Sequence, residues 1–291
     1  MLLQLLANGL IAGCVYSLVA LGFGIIYNTT HLFHFAHGVV YTATAYILYT
    51  FLILLHWNGV LSFILAMMFS AALGIAIEAG IYYPLYRREA PGSVFMISSL
   101  GIYIFLVNLT AMLYGNETKL LRPGAEKTYS LGSVIVTRIQ VLQVVAFGIV
   151  FLLFYLFMKR TKLGRITRGL ADNPALITVV GINTRAVRLV VFAIGSVLAG
   201  LAAILVALDT GMDPHVGMSA ILVSAVAVIV GGVGLFEGAV IGGFLLGVLQ
   251  NVAIWKISAR WQEAITFSVL IFFLLFRPQG LLGRRARLEE M

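Results

Sequence analysis

Three histidines, His31, His34 and His37, recur at every third position directly after the first apolar run. Imidazoles so spaced invite a metal, but a metal centre needs a convergent ligand set with supporting hydrogen bonds behind it. No cysteine or acidic residue adjoins the three, so no metal is expected. Glu78 lies inside an apolar stretch, and a charge at the centre of a bilayer costs at least ~2.5 to 3.5 kcal/mol. It must therefore face protein or water, or sit near an interface with Arg87 as its partner. The lone Cys14 can form neither an internal disulfide nor a multi-cysteine metal site. The glycine-rich run from Gly231 lacks the lysine of a Walker sequence, and helical HExxH and GxSxG patterns are absent too. The chain is expected to bind no ATP itself, to carry no cofactor and to be no enzyme.

These residues are set in an unusually apolar chain. Of 291 residues, 61% are hydrophobic and 10% charged, whereas a soluble domain carries about 25% charged residues. The apolar residues come in runs long enough for a helix to cross ~30 Å of hydrocarbon. A membrane β-barrel would alternate polar and apolar residues, and no such alternation is seen. The fold class is thus all-α, a polytopic transmembrane bundle. Spans are expected near residues 5–27, 39–57, 60–83, 93–114, 138–158, 187–208, 219–236, 238–256 and 263–276, nine in all. The short last run and the glycine-rich join between the seventh and eighth leave room for eight or ten. The first run lacks a basic leading region and is too long for a cleaved signal, so it is expected to remain as a span.

The net charge of +8 follows membrane topology and gathers on no nucleic-acid-binding face. Basic residues cluster at Arg87 and Arg88, between Lys159 and Arg188, and from Arg277 to Arg287. Such clusters stay on the cytoplasmic side. With nine spans all three fall on one side, which puts the N-terminus outside and the C-terminus in the cytoplasm. Segment 115–137 becomes the largest external loop.

Residues 159–188 form the longest predicted cytoplasmic segment, far more than a connector needs. Asp172 or Asn173 suits a helix N-cap and Pro174 the first helical position. Ala175, Leu176, Ile177 and the apolar residues that follow make a short body, which Gly181 closes in the left-handed conformation. A helix of under two turns is unstable alone and needs a surface to pack on. That surface is either the protein's own membrane interface or a cleft in a separate cytoplasmic ATPase. Glycines also recur at fourth positions, as Gly234, Gly238 and Gly242 and again as Gly243 and Gly247. Close helix packing explains them, with a broken helix lining a cavity as the alternative. Asp213 and Pro214 read as the cap and first-turn proline of the seventh span.

The segments ALGFGIIY (20–27), HFAHG (34–38), GRITRGLADNPALITVVGIN (164–183) and GGVGLFEGAVIGGFLLGVLQ (231–250) occur in this order. Together they resemble the permease subunits of branched-chain amino acid ABC importers and their urea and amide relatives, over nearly the whole chain. The chain departs from the usual pattern at His34, where relatives carry Asn, near Leu235 and Phe236, where they carry a serine-containing pair, and at Gln250, where they carry Glu.

The resemblance implies a single transmembrane permease domain over 1–291 in a bacterial inner membrane, surrounded by lipid, with 159–188 as its coupling loop. It also implies a second homologous permease, two cytoplasmic ATPases and an external substrate-binding protein. The coupling residues would be Asp172, Asn173, Pro174, Ala175, Leu176, Ile177 and Gly181. His37 and Gly38 would belong to a helix break near the transport path, with Glu78, Gly234 and Gly238 as further path candidates. Urea or short amides are the alternative cargo. An ion-gradient-driven transporter, for which Glu78 is the one acidic candidate well inside a span, or a passive small-solute channel would be alternatives of another class.

Overall fold

The computed structural model describes residues 1–122, 127–172, 177 and 181–283. Its helices are α1 (Leu2–Thr30), α2 (Ala36–Tyr49, continued by a wide π turn, Thr50–Leu54) and α3 (Gly59–Ile77, with a π turn at Glu78–Tyr82 and a last turn at Tyr83–Arg87). They continue as α4 (Gly92–Tyr114), α5 (Arg138–Arg160), α6 (Lys162–Asp172), α7 (Thr184–Asp209), α8 (Val216–Gly231), α9 (Phe236–Ala253) and α10 (Ala259–Trp261 running into Gln262–Phe276). Among the described residues, eight are long and apolar enough to cross a bilayer. The seventh expected span, 219–236, is α8, whose 16 residues reach only about 24 Å. This chain is a multi-pass membrane protein.

Two local structures go beyond the sequence expectation. A hairpin pairs β1 (Thr128–Leu131) with β2 (Val134–Thr137) inside the loop at 115–137. Gly132, at φ 65°, supplies its turn. Segment 162–172, expected as loop, is the helix α6. It buries Gly164, Thr167 and Leu170 along one stripe, and Thr161 starts it by accepting the Gly164 N–H at 2.9 Å.

Hydrogen bonds and ring contacts sort the helix ends onto two faces. Gln4 at the start of α1 binds Ile135 beside the start of α5, and Gln143 near that start reaches Leu205 and Asp209 at the end of α7. On the other face, Asn28 near the end of α1 accepts the Gly234 N–H. Lys159 at the end of α5 lies 3.8 Å from Glu237, and Arg185 at the start of α7 covers the Tyr83 ring at the end of α3. Helices α1 and α7 therefore run in opposite directions, and the described members of the three basic clusters share the second face.

A repeat follows from the contacts. A Cβ on Gly22 of α1 would lie 2.6 Å from the Gly195 carbonyl of α7, and one on Gly195 would lie 2.7 Å from the Gly22 carbonyl. Gly38 of α2 and Gly217 of α8 meet in the same reciprocal way. Ser70 of α3 donates to the Ser196 carbonyl of α7, as Ser17 of α1 donates to the Val240 carbonyl of α9. Helix α4 packs on α2, and α10 packs on α8. Helices α1–α4 and α7–α10 thus form an inverted repeat, the two halves running oppositely through the bilayer. Helix α1 is the most enclosed, with 83% of its apolar window buried against 6% for α10.

The glycines of α9 serve close packing on two faces. Gly238 and Gly242 abut the α8 backbone at Gly231 and Ala227, and Gly243 and Gly247 abut Ser17 and Gly13 of α1. Dispersion at short range holds helices together where lipid competes equally for apolar surface. Replacing Gly247 with Leu should therefore lower the melting temperature of the purified protein. Overpacking typically costs ~1 to 3 kcal/mol, more than the roughly 1 kcal/mol gained in helix propensity. Gly101→Leu should instead leave melting no lower than wild type, because nothing lies within 4 Å of a Cβ there to offset the gain in helix propensity.

Candidate functional site

The first break in the bundle follows α1. His31, at φ 53°, closes that helix and donates its N–H to Tyr27, and residues 32–35 turn back toward the interior. His34 and His37 are fully buried, whereas His31 is exposed. The His34 and His37 rings stand 5.6 Å apart, but with His31 exposed the three imidazoles form no common cluster among the described residues. Ser99 of α4 accepts the Ala36 N–H at 3.0 Å, and His37 and Gly38 bond back to His34 and Phe35. The start of α2, where Ala36 and His37 are fully buried, is thus satisfied by protein groups in place of water. Gly38 rests there against Gly217 at the start of α8.

Glu78 is 1% exposed and Arg188 is 6% exposed. Arg188 donates from Nε and Nη2 to the two carboxylate oxygens, and its guanidinium stacks 4.7 Å from the Tyr86 ring. The partner is therefore Arg188 of α7 and not the sequence-adjacent Arg87. The reason is helical spacing: Ser70, Gly74 and Glu78 recur every fourth residue on the face of α3 that packs on α7, where Ser70 bonds to Ser196 and Gly74 abuts Phe192 and Ser196. Arg87 instead lines a crevice of about 460 Å³ with Tyr83, Pro84, Arg88 and Arg185. One turn beyond Glu78, the Tyr82 hydroxyl and His34 Nδ1 share a hydrogen bond of 2.8 Å. Phe192 of α7 touches both rings, at 5.6 Å and 5.2 Å. Sequence reasoning missed Arg188 and Tyr82, since no local pattern marks residues 110 and 48 positions away as partners.

The remaining path candidates lie elsewhere. Gly238 packs on Gly231, and Gly234, at φ 94°, forms the turn between α8 and α9. Gly231 is about 21 Å along α8 from Gly217, at 1.5 Å per residue. The structure therefore links Glu78 to His37 and Gly38 only through Tyr82 and His34, and sets the two later glycines at the far end of α8. Asp213 caps a turn by accepting the His215 N–H at 2.8 Å, and α8 begins after it.

Of the coupling candidates, Asp172 is the last residue of α6 and not the opening of a helix within the described segment. Asn173, Pro174, Ala175 and Leu176 lie outside the described residues. Ile177 is half-buried and approaches Gly169 of α6. Gly181 takes φ 80°, the left-handed conformation expected of it, and Asn183 then caps α7 by accepting the Ala186 N–H.

The family model described as "Branched-chain amino acid transport system / permease component" matches residues 5–274. The high-affinity branched-chain amino acid transport system permease protein BraD of Pseudomonas aeruginosa is 33% identical over 97% of this chain and 96% of its own length. The corresponding protein LivH of Escherichia coli is 29% identical with the same coverage. A solved structure, PsaBC from Streptococcus pneumoniae in complex with Fab, aligns at a TM-score of 0.51 and 12% identity over 94% of this chain and 91% of that one, a likeness of fold. Matched along nearly its whole length, this chain belongs to the family of branched-chain amino acid transport system permease components.

Proposed function

We propose that the chain is the membrane-spanning permease subunit of an ATP-driven importer of branched-chain amino acids in a bacterial inner membrane. The observation that carries this reading is the family match across residues 5–274, with relatives of that named activity aligned end to end. The whole chain acts as one transmembrane permease domain, lipid-embedded and paired with a second homologous permease. Two cytoplasmic ATPases supply the hydrolysis that this chain lacks the motif to perform, and an external binding protein delivers the substrate. The N-terminus lies outside and the C-terminus inside, so that the basic face is cytoplasmic.

The coupling segment runs from Asp172 through Asn173, Pro174, Ala175, Leu176 and Ile177 to Gly181. The two ATPase states bind it differently, and that difference in binding free energy is what shifts the permease between outward and inward access. His37 and Gly38, where α2 meets α8, are the best placed of the path candidates. An ion-gradient mechanism drew on Glu78, and that carboxylate is already neutralised by Arg188.

Reconstituted with its ATPases and binding protein, the permease should take up leucine, isoleucine and valine only when ATP is hydrolysed. Uptake driven by an ion gradient without ATP would overturn this reading. Substitution of Gly181 by Leu forces a side chain into φ 80°, a strain of about 1 to 2 kcal/mol, and should lower uptake while the protein still inserts. Ala175→Trp should do the same. For topology, in a Cys14→Ser background a membrane-impermeant thiol reagent should label Glu117→Cys from outside and Arg165→Cys only from inside.

A further inference from the structure

The Glu78–Arg188 pair sits where three moving parts of an importer would meet. Arg188 belongs to the second turn of α7, directly after Gly181 and the coupling segment. Local physics does not favour it there, because a cation near a helix N-terminus opposes the helix dipole and a buried charge needs a partner. Arg185, one turn earlier, covers the Tyr83 ring at 4.6 Å. The start of α7 is thus clasped to the end of α3 by one ion pair and two cation–π contacts.

The clasp continues inward. Glu78 ends the stripe of α3 that faces α7, and the π turn that starts there, Glu78–Tyr82, carries Tyr82 against the re-entrant segment. Such one-turn bulges let a helix change register locally. The Tyr82 hydroxyl holds His34 at 2.8 Å, and His34 leads straight into the start of α2 and its contact with Gly217. His34 Nε2 is buried with no hydrogen-bond partner among the described residues. A buried polar nitrogen left unsatisfied is costly, so the arrangement around His34 is one that a rearranged segment could better.

We propose that Glu78, Arg188 and Tyr82 are positioning residues that transmit displacement of the cytoplasmic loop to the break at His34. They set whether α2 and α8 stay in contact at Gly38 and Gly217. Glu78 in this role neither touches substrate nor lines the path. The inference rests on the ATP-driven import reading above.

The test compares uptake per ATP hydrolysed in the reconstituted complex with its binding protein. Tyr82→Phe deletes the hydroxyl alone and leaves no charge unpaired. The double variant Glu78→Gln with Arg188→Gln removes both charges and retains amides that can bond to one another. Each should keep complex assembly and binding-protein-stimulated ATPase activity while uptake per ATP falls by about tenfold, within the ~5- to 150-fold span usual for coupling between sites. A purely structural role would instead lower assembly, ATPase and uptake together, with the ratio unchanged. That result, or wild-type ratios in both variants, would overturn the proposal. If the wild-type complex shows no ATP-dependent uptake, the import reading falls and this inference with it. If the wild type imports normally and only the variants' ratios stay unchanged, this inference alone falls.

Discussion

Hydrocarbon offers no hydrogen bond to a broken backbone, so a polytopic chain can interrupt its helices only where other protein groups stand in for water. That constraint organises the interior here. The turn at residues 31–35 is tolerable because Ser99 meets the Ala36 N–H and Tyr82 meets His34. At the other end of the repeat, α8 stops short, and its last carbonyls, Val230 and Gly231, accept from the Leu281 and Leu282 N–H groups. Both irregular segments are enclosed by neighbouring helices.

The same solvent explains why glycine does so much of the packing. In water, burial of apolar surface would hold these helices together, but lipid tails match leucine in polarity. What remains is close contact, and close contact needs small residues. The reciprocal meetings of Gly22 with Gly195 and Gly38 with Gly217 bring backbones together at the centre of the inverted repeat. Peripheral glycines such as Gly101 and Gly148 meet nothing within 4 Å. Glycine content alone therefore says little, and position within the repeat says which glycines matter.

Charge obeys a stricter version of this rule. Glu78 and Arg188 are each nearly inaccessible, and either alone would carry the penalty of an unpaired buried ion, several kcal/mol. Together they neutralise one another and leave the guanidinium face to Tyr86. Such a pair adds little net stability compared with apolar side chains of equal volume. Its value lies in fixing one geometry between α3 and α7, beside the loop on which a cytoplasmic engine would act.

Some of this was legible in the residues. Run lengths of apolar residues gave eight membrane helices to within about four positions, because span length is set by bilayer thickness and by a 1.5 Å rise, and overran the short α8 by five. The placement of arginines and lysines gathered one face, and the motif order of 20–27, 34–38, 164–183 and 231–250 marked the family. The hairpin at 128–137 is two four-residue strands with little to mark them, whereas the eleven residues of α6 carry a polar–apolar stripe that stands apart from the apolar runs on either side. Only the tertiary structure decided that Glu78 answers Arg188, that Tyr82 holds His34 and that the glycines of α9 face two different helices. Those pairings join residues tens to more than a hundred positions apart. A helix presents every direction around its axis within four residues, so local sequence fixes that a buried charge must have a partner but not which helix supplies it.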